Sequence, residues 1–383
     1  MRMSKSQRGF TLLELLVASF IGLSVIIMMT SLFKTGMDTT NRVAQKAETT
    51  QNLRAAVELM TKDISLAGAG IPSGGIQLTS AGLSKFACNQ ASFCYIPGGT
   101  YPNSATGTPN YMYAIEPGFD TGVEGGAVIT AAPGQINSSL TVVYCDYNFP
   151  LSNFTFTFPS STSAGVAVIN AGVQPNSILA AGGLNAGDLL LFQVNTPGNG
   201  KTSSGTSLVQ NSAVVAEITS IPSAAVIDFN TGDPLNFNQT SGTNNLAAVA
   251  TAAGGANAQV SVCRLQVVSY FIEVPAAGST VQTPRLMRQV NGLTAVPVAD
   301  NIINLQFTYD VINSANGTVV ANQQNPIGAG ESPSLIQKVN LWVMGASLTT
   351  SGNRSQSMYL ATSVSTSDMS FCNSYSSSTT QCQ

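Results

Sequence analysis

The chain has 383 residues, 44% of them hydrophobic and only 9% charged, with a formal net charge of −3, six cysteines and no histidine. The missing histidine excludes Ser-His-Asp and Cys-His nucleophile systems and His-based zinc sites. A nearly neutral, acid-leaning chain without a basic patch also argues against binding nucleic acid through broad electrostatics.

The first element is membrane-like. Residues 8–33 read RGFTLLELLVASFIGLSVIIMMTSLF. A short basic head (Arg2, Lys5, Arg8) ends at Gly9, and in the apolar run that follows Glu14 is the only charge. A signal peptide normally carries its cleavage site after the apolar run. Here the cleavable-looking bond, Gly9-Phe10, lies before it, so the run is expected to survive processing as a permanent membrane helix. Residues 10–33 would form about 36 Å of helix, enough for a hydrocarbon core of ~30 Å. The basic residues ahead of the span put the N-terminus in the cytoplasm and the bulk of the chain outside.

Arg8-Gly9-Phe10-Thr11-Leu12-Leu13-Glu14 resembles the prepilin signature of type IV pilins and type II secretion pseudopilins. The resemblance implies a leader at 1–9, cleavage after Gly9 by a prepilin peptidase and N-methylation of Phe10. It also makes Glu14 the hallmark acid at the fifth mature position. A carboxylate in a membrane helix costs roughly 2.5–3.5 kcal/mol at the bilayer centre and less near an interface. Two readings follow. Either Glu14 is tolerated near the headgroups, or it pairs with the α-ammonium that cleavage creates on Phe10 of an axially displaced neighbour. The second reading makes Glu14 an assembly register for stacked subunits.

Residues 34–67 continue the helix. They contain no proline, and Leu53, Val57, Met60, Ile64 and Ala67 form one apolar stripe. Arg42, Lys46, Glu48, Arg54, Glu58, Lys62 and Asp63 are read onto the other faces. Gly68, Gly70 and Pro72 end the helix. The stripe requires a globular head to cover it.

From residue 68 onward the character changes: 316 residues carry seven Lys/Arg and thirteen Asp/Glu. Short β-prone runs at 189–194, 259–262, 267–272 and 341–344 alternate with turn-forming Gly, Pro, Asn and Asp. The expected fold is α+β and pilin-like: a long N-terminal helix, then a β-rich, disulfide-containing head with no sustained helical period after Ala67. Ser/Thr/Gly-rich stretches near 197–212 and 239–259 read as long loops. The head divides on this reading into an unmatched region, 68–255, and a C-terminal β region, 256–383.

The C-terminal third carries a looser resemblance to PilW-like minor pilins. Tyr270-Phe271-Ile272 leads to an x-Leu-x-Arg strand ending at Leu286-Met287-Arg288, then to Ile302-Ile303-Asn304-Leu305-Gln306-Phe307-Thr308-Tyr309, then to a strand at 339–344. The segment Met60–Gly68 (MTKDISLAG) resembles theirs as well, and partly that of larger minor pseudopilins.

All six cysteines, Cys88, Cys94, Cys145, Cys263, Cys372 and Cys382, lie in the exported part, where an even count suggests disulfides. Fifteen pairings exist; closeness favours 88–94 and 372–382, leaving 145–263. The 372–382 loop also resembles the C-terminal disulfide loop of many pilins. Without histidine or a CxxC, no metal site is expected. The segment 228–233 (DFNTGD) reads as an Asx-rich turn in preference to a calcium loop, since the six-position glycine and terminal glutamate of an EF-hand are missing. No paired-carboxylate motif, Walker motif or dinucleotide fingerprint is present, so no catalytic activity and no cofactor are expected.

These features together point to a minor pilin of a type IV pilus. Its expected partners are the prepilin peptidase, major and other minor pilins, and the inner membrane before assembly, with an unknown surface ligand for the head. A minor pseudopilin of type II secretion is the alternative, and a membrane-tethered envelope enzyme the third reading.

Overall fold

A computed structural model describes residues 10–72, 75–78, 88–89, 93–94, 111–118, 121–124, 127–130, 138–149, 151–158, 166–170, 182–201, 207–233, 235, 237–239, 245–253, 259–274, 283–324, 326, 331–347, 356–366, 372–373 and 381–382. Gly9 and the basic head lie outside the described residues.

One helix, α1 (Leu12–Leu66), runs unbroken for 55 residues, about 82 Å at 1.5 Å per residue. It ends where expected: Gly68 and Gly70 take left-handed conformations (φ 82° and 75°). The head then supplies β1 (Ile115–Gly118), β2 (Ser139–Asp146), β3 (Leu189–Lys201), β4 (Ser207–Glu217), a short helix α2 (Leu246–Ala253), β5 (Gln259–Val274), β6 (Arg285–Val290), β7 (Val296–Asp300), β8 (Ile302–Ile312), β9 (Val319–Gln323), β10 (Ile336–Ser347) and β11 (Gln356–Ser365).

Strand β5 is the spine of the larger sheet. Its first half pairs antiparallel with β3 and its second half with β6. Along the other edge it pairs with β2, from Arg264 opposite Asp146 to Tyr270 opposite Leu140. The runs at 259–262 and 267–272 are therefore one strand. Because β5 pairs with both β2 and β3, the regions before and after residue 255 share a sheet. The stretch near 197–212, expected as a loop, instead contains the ends of the β3–β4 hairpin. Its Ser/Thr/Gly composition masks a ladder that cross-strand pairing completes. Within 239–259, Leu246 and Val249 of α2 pack beside Phe192 and Phe229 in a second core. That short helix was missed because an eight-residue alanine-rich segment shows too little periodicity.

Asn301, left-handed at φ 63°, carries the chain from β7 in the first sheet to β8 in the second. The second sheet has the order β9-β8-β10-β11. α1 lies across both sheets. Leu53, Ala56, Met60 and Ile64 share one core with Leu140, Val142 and Ile272 from the first sheet and Phe307, Leu341 and Val343 from the second. The approach is closest at Gly345 of β10, where a Cβ would sit 3.0 Å from Thr49 Cγ2 and 3.3 Å from Leu53 Cδ1. The buried stripe is Leu53-Ala56-Met60-Asp63/Ile64-Ala67, and Val57 only flanks it.

Candidate functional site

The N-terminal turn of α1 is a closed local circuit. Thr11 is the N-cap (φ −74°, ψ 149°), and its Oγ1 accepts the Glu14 N–H at 3.3 Å. Glu14 Oε2 in turn accepts from the Thr11 N–H at 3.0 Å and the Thr11 hydroxyl at 3.1 Å. This is a capping box, which satisfies two orphan donors of the helix start and places a negative charge at the positive end of the dipole. The sequence signal, Thr-x-x-Glu before an apolar run, was available, but Glu14 was weighed there only as a membrane charge. A carboxylate has about four acceptor sites. The capping bonds therefore leave room for a further donor, and Phe10, the residue just outside the cap, is 86% exposed.

Beyond the cap, the apolar side chains from Leu12 to Phe33 point into open space all round the helix. Three of its hydroxyls fold back onto carbonyls of the preceding turn: Ser19 onto Leu16 (2.9 Å), Ser24 onto Phe20 (2.8 Å) and Thr30 onto Ile26 (2.6 Å). Such back-bonding satisfies these groups within the helix, as a lipid environment demands. This half of α1 fits a membrane anchor.

The other half is held by an ionic knot. Asp63, read from sequence onto a polar face, is 3% exposed. Its Oδ2 accepts from Tyr270 Oη at 2.5 Å and Arg288 Nε at 2.9 Å, and its Oδ1 accepts from Tyr144 Oη at 3.2 Å. Arg288 Nε also reaches Tyr270 Oη at 3.2 Å. Burial, and then the Asp63 charge, push both phenol pKa values up. Burial alone would pull Arg288 down, but the Asp63 hydrogen bond and charge reverse this and leave it raised. The knot thus contains one charged pair and two neutral phenols. It also joins the two segments quoted separately for the PilW-like resemblance, MTKDISLAG and the x-Leu-x-Arg strand.

Just past the helix, Cys145 of β2 and Cys263 of β5 form a disulfide, with Cα atoms 5.7 Å apart and a sequence separation of 118. Gly70 lies against it: a Cβ there would fall 2.9 Å from Cys145 Sγ. The backbone register sets Cys88 opposite Cys94 and Cys372 opposite Cys382. In the 228–233 segment, Asp233 accepts the N–H groups of Phe237 (2.6 Å) and Asn238 (3.0 Å), and Asp228 accepts the Ser220 hydroxyl (2.8 Å). Both carboxylates are thus held by donors of the chain itself, but at spacings of four, five and eight residues, not in the two-residue bond of an Asx turn. Sequence reasoning also missed Glu116 of β1. It is wholly buried and accepts the Tyr113 N–H at 2.8 Å through Oε1, while Oε2 has no partner among the described residues. Burial pushes this carboxyl up to about 8, with the Tyr113 N–H opposing.

Residues 4–30 match the prokaryotic N-terminal methylation motif. The motif supports a type IV pilin-like or pseudopilin protein. It implies processing by prepilin peptidase and assembly with other pilins. No curated protein and no solved structure matches the chain.

Proposed function

We propose that the chain is a PilW-like minor pilin of a type IV pilus. It is cut after Gly9, methylated on Phe10, held in the inner membrane with its head outside, and then drawn into the filament with the head on the cell surface. The observation that carries this reading is the division of α1. Behind a methylation motif, its first half is apolar and uncovered, while its second half is built into a head. A filament core made of such halves buries them without changing the head. The role is structural, in assembly or tip display, and not catalytic. The finer PilW-like assignment draws support from the contact between its two resembling segments through Asp63 and Arg288. A pseudopilin of type II secretion shares the same N-terminus; the 316-residue head favours the pilus.

The test is processing. Glycine at position 9 presents the bond to the peptidase without a side chain, so Gly9→Val is expected to leave an uncut precursor in the membrane. Mass spectrometry of the mature wild-type N-terminus should show methylated Phe10, and an intact Met1 in assembled material would overturn the proposal. Deleting the gene and assaying piliation and secretion side by side separates the pilus from the secretion reading.

A further inference from the structure

The second sheet has two unlike faces. Its inner face, with Phe307, Leu341 and Val343, is covered by α1. Its outer face carries the alternate residues of the same strands, among them the only tryptophan of the chain. Trp342 on β10 is half-buried and stacks on Tyr359 of β11, with ring centroids 6.2 Å apart and planes at 27°. Tyr359 is 71% exposed. Directly across from Trp342 stand Gln306 on β8 and Ala361 on β11. Ala361 sits between Tyr359 and Ser363 on the same strand face, so its small side chain leaves a dip beside the tryptophan. The resulting open depression has a volume of about 450 Å³, within the range of small-molecule sites.

The next row of this face is a fixed lattice of amides and hydroxyls anchored on the Asp310 carboxylate, which accepts from Asn340 Nδ2 at 2.9 Å and from the Asn322 N–H at 3.0 Å. Ser363 Oγ donates to Asn340 Oδ1 at 2.8 Å, and Asn340 Nδ2 donates to Asn322 Oδ1 at 3.3 Å. Thr308 Oγ1 also donates to Asn322 Oδ1, at 3.4 Å. These bonds hold the side chains in place yet leave acceptor sites on the hydroxyls and the donor amide of Asn322. The side-chain amide of Gln306 and the indole N–H of Trp342 make no hydrogen bond among the described residues. Among those residues, charge on this face is confined to one end, where Lys338 and Asp310 pair at 3.5 Å.

We propose that the outer face of the second sheet, centred on Trp342, Tyr359 and Gln306, binds a neutral saccharide. Each sugar hydroxyl both donates and accepts, which suits amides and hydroxyls held in a row. The C–H face of a pyranose suits an aromatic wall with a polar neighbour. Among the described residues of this face, the charges a polyelectrolyte would meet, Lys338 and Asp310, are paired with each other. Binding as such does not depend on the pilus assignment; display of this face on the outside of a filament rests on that reading, since α1 lies on the opposite side of the sheet.

The single tryptophan makes the test direct. The full chain, held in a detergent without a sugar headgroup, is titrated with maltose, cellobiose, lactose and N,N′-diacetylchitobiose while Trp342 emission is followed. A polyuronate serves as the charged comparison. The expected result is a saturable change in emission with at least one neutral disaccharide and none with the polyuronate. Ala361→Leu, which fills the dip, and Gln306→Ala are each expected to weaken that binding by about tenfold, the size of one stacking or hydrogen-bonding contact. Their melting temperatures should match wild type, because both positions lie on the solvent face. The proposal is overturned if no neutral disaccharide gives a saturable change, if the polyuronate binds more tightly, or if Ala361→Leu binds like wild type. Concentration-dependent self-association that Ala361→Leu abolishes and sugars leave unchanged would make this face a subunit contact and overturn it too. Failure here leaves Gly9 processing unaffected, so the two proposals fail separately.

Discussion

Glu14 and Asp63 sit near opposite ends of the same helix and are held in opposite ways. Glu14 is exposed, and its hydrogen bonds come from Thr11, within its own first turn. Asp63 is buried, and every donor it uses is brought from a distant strand: Tyr144 from β2, Tyr270 from β5, Arg288 from β6. A carboxylate satisfied locally takes its partners along wherever the helix goes and keeps acceptor sites for a neighbour. One satisfied by tertiary contacts fixes the helix to a single place in a single fold. The first arrangement suits the uncovered half of α1 and the second suits the half that belongs to the head.

The largest effect is expected where the tertiary set is broken. Asp63→Ala leaves Arg288 without its anion and two buried phenols without their acceptor. Removing one member of a buried ion pair typically costs about 3–5 kcal/mol. The low end, about 3 kcal/mol, is expected here, because the Arg288 side chain keeps 26% of its exposure and water screens part of the loss. Urea unfolding of the detergent-solubilised protein, followed by near-UV circular dichroism, measures it. Combining Asp63→Leu with Arg288→Met should recover part of the loss, since a packed apolar pair avoids the desolvation cost. A change below about 0.5 kcal/mol for Asp63→Ala, the level of ordinary surface substitutions, would mean that the knot does not pin the helix.

Glu116 sharpens the comparison as a buried acid with no cation beside it among the described residues. With an ordinary value near 4.5 and a folded value near 8, it stays protonated in the folded head while the unfolded chain ionises. The raised folded value contributes stability fully present below about pH 4.5 and lost as pH rises through 8. Between those limits the unfolded state binds fewer protons, so stability falls by up to about 1.4 kcal/mol per pH unit from this group. Glu116→Gln keeps the acceptor for the Tyr113 N–H and cannot ionise. Its melting temperature should therefore fall less than that of wild type between pH 5 and 8. Parallel curves for the two proteins would remove Glu116 as the source.

Much of this was legible from sequence where the signal is local. The start, end and continuity of α1 follow from an apolar run, a proline-free stretch and the glycines at 68 and 70. The strands at 189–194 and 341–344 follow from short β-branched and aromatic runs, and the one at 302–310 from the PilW-like resemblance. Asp63 was misplaced because helical periodicity sorts residues by polarity, and a charge looks external until its partners are known. Those partners lie 81, 207 and 225 residues away in sequence. The β3–β4 hairpin was hidden for the same reason: its Ser/Thr/Gly-rich ends have no strand signal of their own and are ordered by pairing. The Trp342 face was overlooked because its parts are spread over four strands and align only through their register. The cap at Thr11 is different: its signal, Thr-x-x-Glu, is local, but the membrane cost of Glu14 and its pairing with a neighbour's Phe10 draw attention away from its own first turn.

The smallest effect on folding, and the most telling for assembly, is expected at Glu14. Glu14→Leu removes a charge that is costly in lipid, so insertion should be at least as good as in wild type, and the Gly9-Phe10 bond should still be cut. The unfolding free energy of the head should change by less than about 0.5 kcal/mol, because no described residue of the head touches this turn. The quantity to measure is the amount of protein in sheared filaments relative to membranes, and that ratio should fall. The loss alone has two explanations, a frayed helix start or a missing partner for a neighbour's Phe10 amine, and Glu14→Gln separates them. A glutamine carbonyl still accepts the Thr11 N–H and keeps the cap, but it brings no charge to an ammonium. If Glu14→Gln assembles like wild type, the cap is what assembly needs and the charge register fails. If it falls part-way to Glu14→Leu or further, the charge itself is recognised. Should Glu14→Leu assemble at the wild-type ratio, Glu14 is a tolerated interfacial acid, and the contrast with Asp63 reduces to burial.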